Sequence, residues 1–224
     1  QRRDRNVSTE QTRHFQQAVG ALASVLLLSA AALAWLGPGH QAATRLAVQA
    51  LPQDMPAFFR DCAGALIHGC VDPDLYRVRD LPQLRAADGP QHFMDMEYLK
   101  GAPLPPTRKE FFALCARLNV NPCDVGMLPY AVAEETQRLA VIFAEHRKWP
   151  GDPFIQRKAL VAAAALAHFA QDLCQPLHTT VHYDGRVIPG GPKPQKGIHL
   201  KLDALIQKVP PAEAQTLAVE ARVL

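Results

Sequence analysis

A chain of 224 residues that is 48% hydrophobic and 20% charged can bury a full core, which excludes a disordered segment and fits one domain behind a leader. Its 24 Lys and Arg against 21 Asp and Glu leave a net charge of +3, too even a balance to mark a nucleic-acid binder by charge alone. The nine His and five Cys are then the residues to account for.

Residues 1–34 have the parts of a secretory signal. Arg2, Arg3, Arg5 and Arg13 precede an uncharged run from Phe15 to Ala34, which exits through Ala32-Leu33-Ala34 before Trp35. The run approaches spanning length, so an uncleaved membrane anchor is the competing expectation, and the small-residue exit favours cleavage. Export would place the protein in the periplasm or outside the cell. There, Cys62/Cys70 and Cys115/Cys123, each eight apart, suit local disulfides. Cys174, left over, lies about 240° around a helix from His168 and is expected as a packed thiol, not a ligand.

Trp35-Leu36-Gly37-Pro38-Gly39-His40 is expected as a tight turn feeding a helix over 41–51, with His40 in its first turn. A second helix is expected over 55–67, entered through Pro56, and then a loop rich in Asp, Pro and Arg to Pro90. Gln91–Glu97 places His92, Asp95 and Glu97 among large apolar groups, an unusual setting for an imidazole without a partner. Beyond the rigid stretch 103–106, residues 108–118 read as an amphipathic helix, and 125–130 lead into a long helix to about His146. The alanine-rich run 159–167 predicts a buried helix carrying His168 and Asp172, stopped by Pro176 so that His178 turns back beside it. Residues 183–196, dense in Gly and Pro, are expected as a surface loop, with helices again over 199–208 and 212–222. No internal repeat or strand is legible, so the class is all-α, a helical bundle with long loops.

His168 and Asp172 stand four apart on one helix face, where an imidazole and a carboxylate can converge on one cation. A core histidine hydrogen-bonded to its aspartate explains one such pair equally well. The second pair, His199 and Asp203, tips the reading towards metal. Together with His40, Asp74, His92 and His178, these side chains exceed what one ion can use. Mixed His and Asp donors point to zinc, and neighbouring ions about 3.5–4 Å apart suit phosphoester chemistry.

The ordered motifs Trp35-x-Gly37-x-Gly39-His40, Pro73-Asp74-x-x-Arg77, His92-Phe93-x-Asp95, His168-x-x-x-Asp172-x-x-Gln175-Pro176-Leu177-His178 and His199-x-x-x-Asp203 resemble the zinc-dependent single-strand nucleases of fungi and plants and the related bacterial zinc phospholipases C. The resemblance implies a mostly helical bundle with long loops around a trinuclear zinc cleft. The first zinc would take Asp74, His92, His168 and Asp172, and the second His178, His199 and Asp203. The third would take the backbone amine and carbonyl of Trp35 with His40, Asp172 bridging it to the first. Asp95 matches an aspartate that orients or deprotonates the attacking water. Leu36, Gln171 and Cys174 depart from the pattern, the nucleases commonly having Gly, Gly and His there. Asp72 and Asp80 lie close enough to Asp74 to compete for its place.

The implied function is that of a secreted zinc endonuclease hydrolysing single-stranded DNA or RNA, and 3′-nucleotides. Residues 35–224 would form its domain, short of the family's later helices. Tyr183, Phe93 and Tyr98 are candidates for stacking a base. A zinc phospholipase C, which would need an exposed apolar rim, and a non-catalytic zinc-binding periplasmic protein are the alternatives. A monomer is expected, with no stable protein partner and membrane contact only through an uncleaved leader.

Overall fold

Two long helices form the spine. In the computed structural model, which describes residues 37–205, α8 (Leu128–Lys148) and α9 (Pro153–Leu173) have 21 residues each and are joined by a short turn that makes them antiparallel neighbours. The leader, Trp35 with Leu36, and the stretch beyond Leu205, including the helix expected over 212–222, lie outside the described residues.

The start of α9 is fixed locally. Asp152 caps it by accepting from the Phe154 and Ile155 amides at 2.8 and 3.3 Å, and Pro153 supplies the helical φ at the first position. Its buried face runs from Ile155, Ala159 and Ala162 to His168, Phe169 and Asp172. Thus one stripe is aliphatic at its N-terminal end and carries the chemistry at its C-terminal end. Val48, Phe58, Phe59 and Leu66 pack on the aliphatic part.

The other elements are short. In chain order they are α1 (Gly37–Ala50), α2 (Phe58–Asp61), α3 (Ala63–Gly69), α4 (Asp72–Leu75), α5 (Pro82–Asp88), α6 (Arg108–Leu118), α7 (Pro122–Val125) and, after α9, α10 (Ile198–Asp203). Three 3₁₀ turns, Gly89–His92, Met96–Leu99 and Pro176–Thr179, join them. The all-α class holds: the described residues contain no strand, only an isolated bridge between Met94 and Gly126. None of their helices is long and apolar enough to cross a membrane.

Several local expectations are corrected. The glycine-rich stretch before His40 is not a separate turn: Gly37–His40 already form the first turn of α1, which Pro38 tolerates because its missing N–H has no partner there anyway. The helix expected over 55–67 is broken at Cys62, whose φ of −106° and ψ of 27° leave the helical region. The loop expected to Pro90 holds α4, α5 and a 3₁₀ turn, each with a proline at its first or second position. Residues 183–196 carry no regular element.

The expected disulfides are absent, all five cysteines being free thiols. Cys62 and Cys70 flank α3 at its two ends, and its seven helical residues hold them about 12 Å apart at a rise of about 1.5 Å per step, beyond the ~7 Å reach of a disulfide. Cys115 is fully buried in the core while Cys123 faces solvent. Cys174 is likewise exposed, not packed, because it caps the end of α9 where the helix runs out of covering chain.

A second core of Met94, Leu99, Phe111, Leu114, Cys115, Val125, Met127 and Tyr130 sits under the His92 segment. α6 enters it through a capping box between Thr107 and Glu110. Gly126, at φ 87°, lets the backbones touch: a Cβ there would lie 2.1 Å from the Phe93 carbonyl oxygen, which accepts the Leu128 amide at 3.1 Å. Gly126→Ala is therefore expected to cost about 3 kcal/mol and to lower the melting temperature by roughly 6–12 °C. An unchanged melting temperature would contradict this close approach.

Candidate metal centre

Five segments deliver the polar cluster. α1 places His40, Thr44 and Val48 on one buried stripe at every fourth residue. α4 turns Asp74 inward, and the 3₁₀ turn Gly89–His92 ends on His92. α9 supplies His168 and Asp172. Further along the same segment, Gln175 accepts the Leu177 amide at 3.3 Å and so shapes the turn that returns His178. α10 contributes His199 and Asp203.

The His92 segment is held by backbone bonds on several sides. The Met94 amide donates to the His178 carbonyl at 2.8 Å, the Met127 amide to the Pro90 carbonyl at 2.7 Å, and the Asp95 amide to the Val125 carbonyl at 2.6 Å. The stretch from Pro90 to Asp95 that carries His92 is thus tied to the His178 turn on one side and to Val125 and Met127 on the other.

Three groups of side chains present donor atoms within 4.8 Å of one another and can hold a metal ion: His40, His168 and Asp172; Asp74, His92 and His168; His178, His199 and Asp203. Asp172, completely buried, lies among them. Its carboxylate oxygens are 3.0 Å from His92 Nδ1, 3.3 Å from His168 Nε2, and 3.5 Å from both His40 Nε2 and His178 Nδ1. Among the competing aspartates, Asp74 is the one brought in, whereas Asp72 is half-buried and Asp80 exposed, and neither joins a group.

The outward hydrogen bonds decide which nitrogens face inward. His168 Nδ1 donates to the Cys70 carbonyl at 2.8 Å, and His178 Nδ1 to the His92 carbonyl at 2.7 Å. A carbonyl only accepts, so in each neutral ring Nε2 keeps its lone pair. His168 Nε2 then faces an Asp172 oxygen at 3.3 Å, two acceptors in apposition, an arrangement that calls for a proton or a cation between them. Asp74 Oδ2, His92 Nε2, Asp172 Oδ1, His178 Nε2 and His199 Nε2 are buried and have no hydrogen-bond partner among the described residues. Buried polar atoms are normally satisfied, so this concentration of bare donors fits a bound cation.

Charge states agree with that fit. Burial pulls His92 down to about 3 and His40 to about 4, so both are neutral at physiological pH. Asp172 is held well below the usual carboxylate range: burial opposes its ionisation, but the hydrogen bonds from His168 and His92 and the surrounding charge outweigh it. His168 is raised, burial being outweighed by its Asp172 partner. Burial raises Asp74 to about 6 despite Arg77, which donates to its Oδ1 at 3.1 Å. The neutral His40 and His92 and the ionised Asp172 are donors of the kind a divalent transition ion takes, and His168 would join them by giving up its Nε2 proton.

Asp95 stands apart from the groups. It is half-buried at the start of the 3₁₀ turn Met96–Leu99, and its carboxylate makes no hydrogen bond among the described residues. Burial, reinforced by the charge of Glu97, lifts its carboxyl to about 6. Of the base-stacking candidates, Phe93 is half-buried and Tyr98 exposed, while Tyr183 is exposed with its ring centroid 5.7 Å from that of His199 and Lys193 Nζ 4.8 Å above it.

Four residues matter here without having been singled out as supports. Gln171 bonds His40 Nδ1 at 2.7 Å and Thr44 Oγ1 at 2.9 Å; Gln175 Nε2 donates to Asp203 Oδ1 at 2.9 Å; Arg77 anchors Asp74. The helical spacing that identifies His168 and Asp172 also puts Gln171 three residues from His168, which was the available signal. No protein-family model, curated protein or solved structure matches the chain, so the resemblance to zinc nucleases stands on the five motifs alone.

Proposed function

We propose that this chain is a secreted zinc-dependent phosphodiesterase that hydrolyses single-stranded nucleic acid, with 3′-nucleotides as a smaller substrate. The observation that carries the reading is the convergence of eight His and Asp from five segments into three adjoining groups with Asp172 between them. In this reading Asp74, His92, His168 and Asp172 hold one ion; His178, His199 and Asp203 a second; and His40 with the Trp35 backbone, outside the described residues, a third. The enzyme acts as a monomer without a stable protein partner.

Bound zinc supplies Lewis acidity, which makes water a nucleophile near neutral pH and neutralises phosphate charge. The protein's own groups do the rest. Asp172 keeps the imidazoles in register and carries the negative charge the cations require. Asp95, with its carboxyl poised at about 6, takes the proton from the attacking water. Tyr183 offers an exposed ring beside His199 for a base, and Lys193 a cation for the adjoining phosphate. Tyr183→Ala is expected to raise KM for an oligonucleotide roughly 5- to 100-fold with kcat nearly unchanged, since stacking contributes about 1–3 kcal/mol per base. Steady-state kinetics checks it, and an unaltered KM would remove Tyr183 from the cleft wall.

One observation favours a second reading. Leu75, Tyr76, Leu81 and Leu84 are all exposed on the segment that carries Asp74, and such an apolar rim suits a phospholipase C acting on a lipid headgroup. Zinc-loaded protein assayed in parallel on single-stranded DNA, RNA, a 3′-mononucleotide and phosphatidylcholine separates the two. Turnover of nucleic acid is the expected result. Turnover of lipid alone would establish the second reading, and zinc binding with no turnover of any substrate would leave a zinc-binding protein without this activity.

A further inference from the structure

Gln171 bridges α9 and α1. Its Oε1 lies 2.7 Å from His40 Nδ1 and its Nε2 2.9 Å from Thr44 Oγ1. An amide can present either end, and here the oxygen faces the imidazole and the nitrogen faces the hydroxyl.

That placement gives the contact its direction. Gln171 Nε2 donates to the Thr44 oxygen, and the Gln171 carbonyl oxygen, which can only accept, faces His40 and receives a proton from Nδ1.

We infer that Gln171 is a positioning residue: through this pair of bonds it holds His40 in the tautomer protonated on Nδ1 and turns the Nε2 lone pair towards Asp172 and Asp74. The inference rests on the metal-binding reading above for its purpose. His40 Nε2 lies 3.5 Å from Asp172 Oδ1 and 4.0 Å from Asp74 Oδ2. In the other tautomer Nε2–H would donate to Asp172 and the imidazole would fill the space with its own proton. With the proton fixed on Nδ1, the same position is a donor to a cation. Gln171 thus keeps His40 from satisfying Asp172 directly. Thr44, which accepts from the other end of the amide, is buried at 2% exposure.

The test uses the full chain, ¹⁵N-labelled and zinc-loaded, with the His40 ring signals assigned by their loss in His40→Ala. A two-bond proton–nitrogen correlation spectrum is expected to place the ring proton on Nδ1. Gln171→Met, similar in shape but without the acceptor, is expected to weaken binding of one zinc ion roughly 10- to 100-fold and to mix the tautomers. Gln171→Glu, which keeps an acceptor, should restore both. Should Gln171→Met fail to fold, Thr44→Val, which removes only the hydroxyl, must shift tautomer and affinity in the same direction. A proton on Nε2 in the parent protein would overturn the inference, as would parent-level zinc affinity with an unchanged tautomer in the folded variant. A parent protein that binds no zinc would sink the metal reading instead, and the same spectrum would still decide the role of Gln171.

Discussion

Asp172→Asn is expected to abolish activity more completely than any other single change in the cluster, lowering kcat/KM about 10⁴-fold or more, equivalent to roughly 5.5 kcal/mol. Its carboxylate lies within 3.5 Å of four imidazoles, which between them belong to all three donor groups. Asparagine keeps the shape but removes that charge and puts an N–H₂ where a lone pair was needed, so both adjoining ions should be lost or weakened together. His40→Ala touches one group and should cost one ion only. Metal analysis of the two variants separates the cases: an Asp172→Asn protein with the parent's full zinc content would show that this carboxylate bridges nothing. Acid should act in the same direction. Because the folded state holds Asp172 below the ordinary carboxylate range, its contribution to stability is present above about pH 4 and is lost as pH falls further.

Asp95→Asn is expected to keep full zinc and lose about 10²- to 10⁴-fold in kcat/KM, the usual size of a general-base contribution. The competing role, support of a zinc-bound histidine, requires a hydrogen bond that the Asp95 carboxylate does not make to any described residue. The pH profile gives a second readout. With the carboxyl lifted to about 6, activity should rise through pH 6 and level off above it, and this limb should vanish in Asp95→Asn. The stability effect has the opposite sign. The folded state binds the Asp95 proton more tightly than the unfolded chain does, so stability declines as pH rises from about 4 to about 6. Above pH 6 the asparagine variant, relieved of a half-buried charge, should melt at a higher temperature than the parent. A variant with unaltered turnover and full zinc would remove Asp95 from the chemistry.

How far the sequence discloses this molecule depends on the range of the interaction. α9 is legible because its alanine run, its Asp152-Pro153 start and its Pro176 stop are all local, and the same helical period exposes the His168/Asp172 pair. α6 is legible through Thr107 and Glu110. The break at Cys62 and the small helices between Cys70 and Pro90 are not, since four- to seven-residue elements hold by tertiary packing and carry too few residues for a periodic signal. The disulfide expectation failed for a related reason: a spacing of eight looks local on paper, but α3 stretches it. In the cluster the inward-facing side chains are readable as residue types. The groups that orient them are not, because the Cys70 and His92 carbonyls meet His168 and His178 across 98 and 86 residues of chain. Gln171 fell between the two: its helical position was visible, while its partner Thr44 lies 127 residues away.

The central claim is that the three His and Asp groups form one metal centre. Zinc quantified by mass spectrometry on the purified, folded chain tests it most directly, alongside the Asp172→Asn protein. The account predicts one zinc for each of the three groups in the parent and the loss of more than one in the variant. A folded parent chain that retains no zinc, or a variant with the same zinc content as the parent, would contradict it.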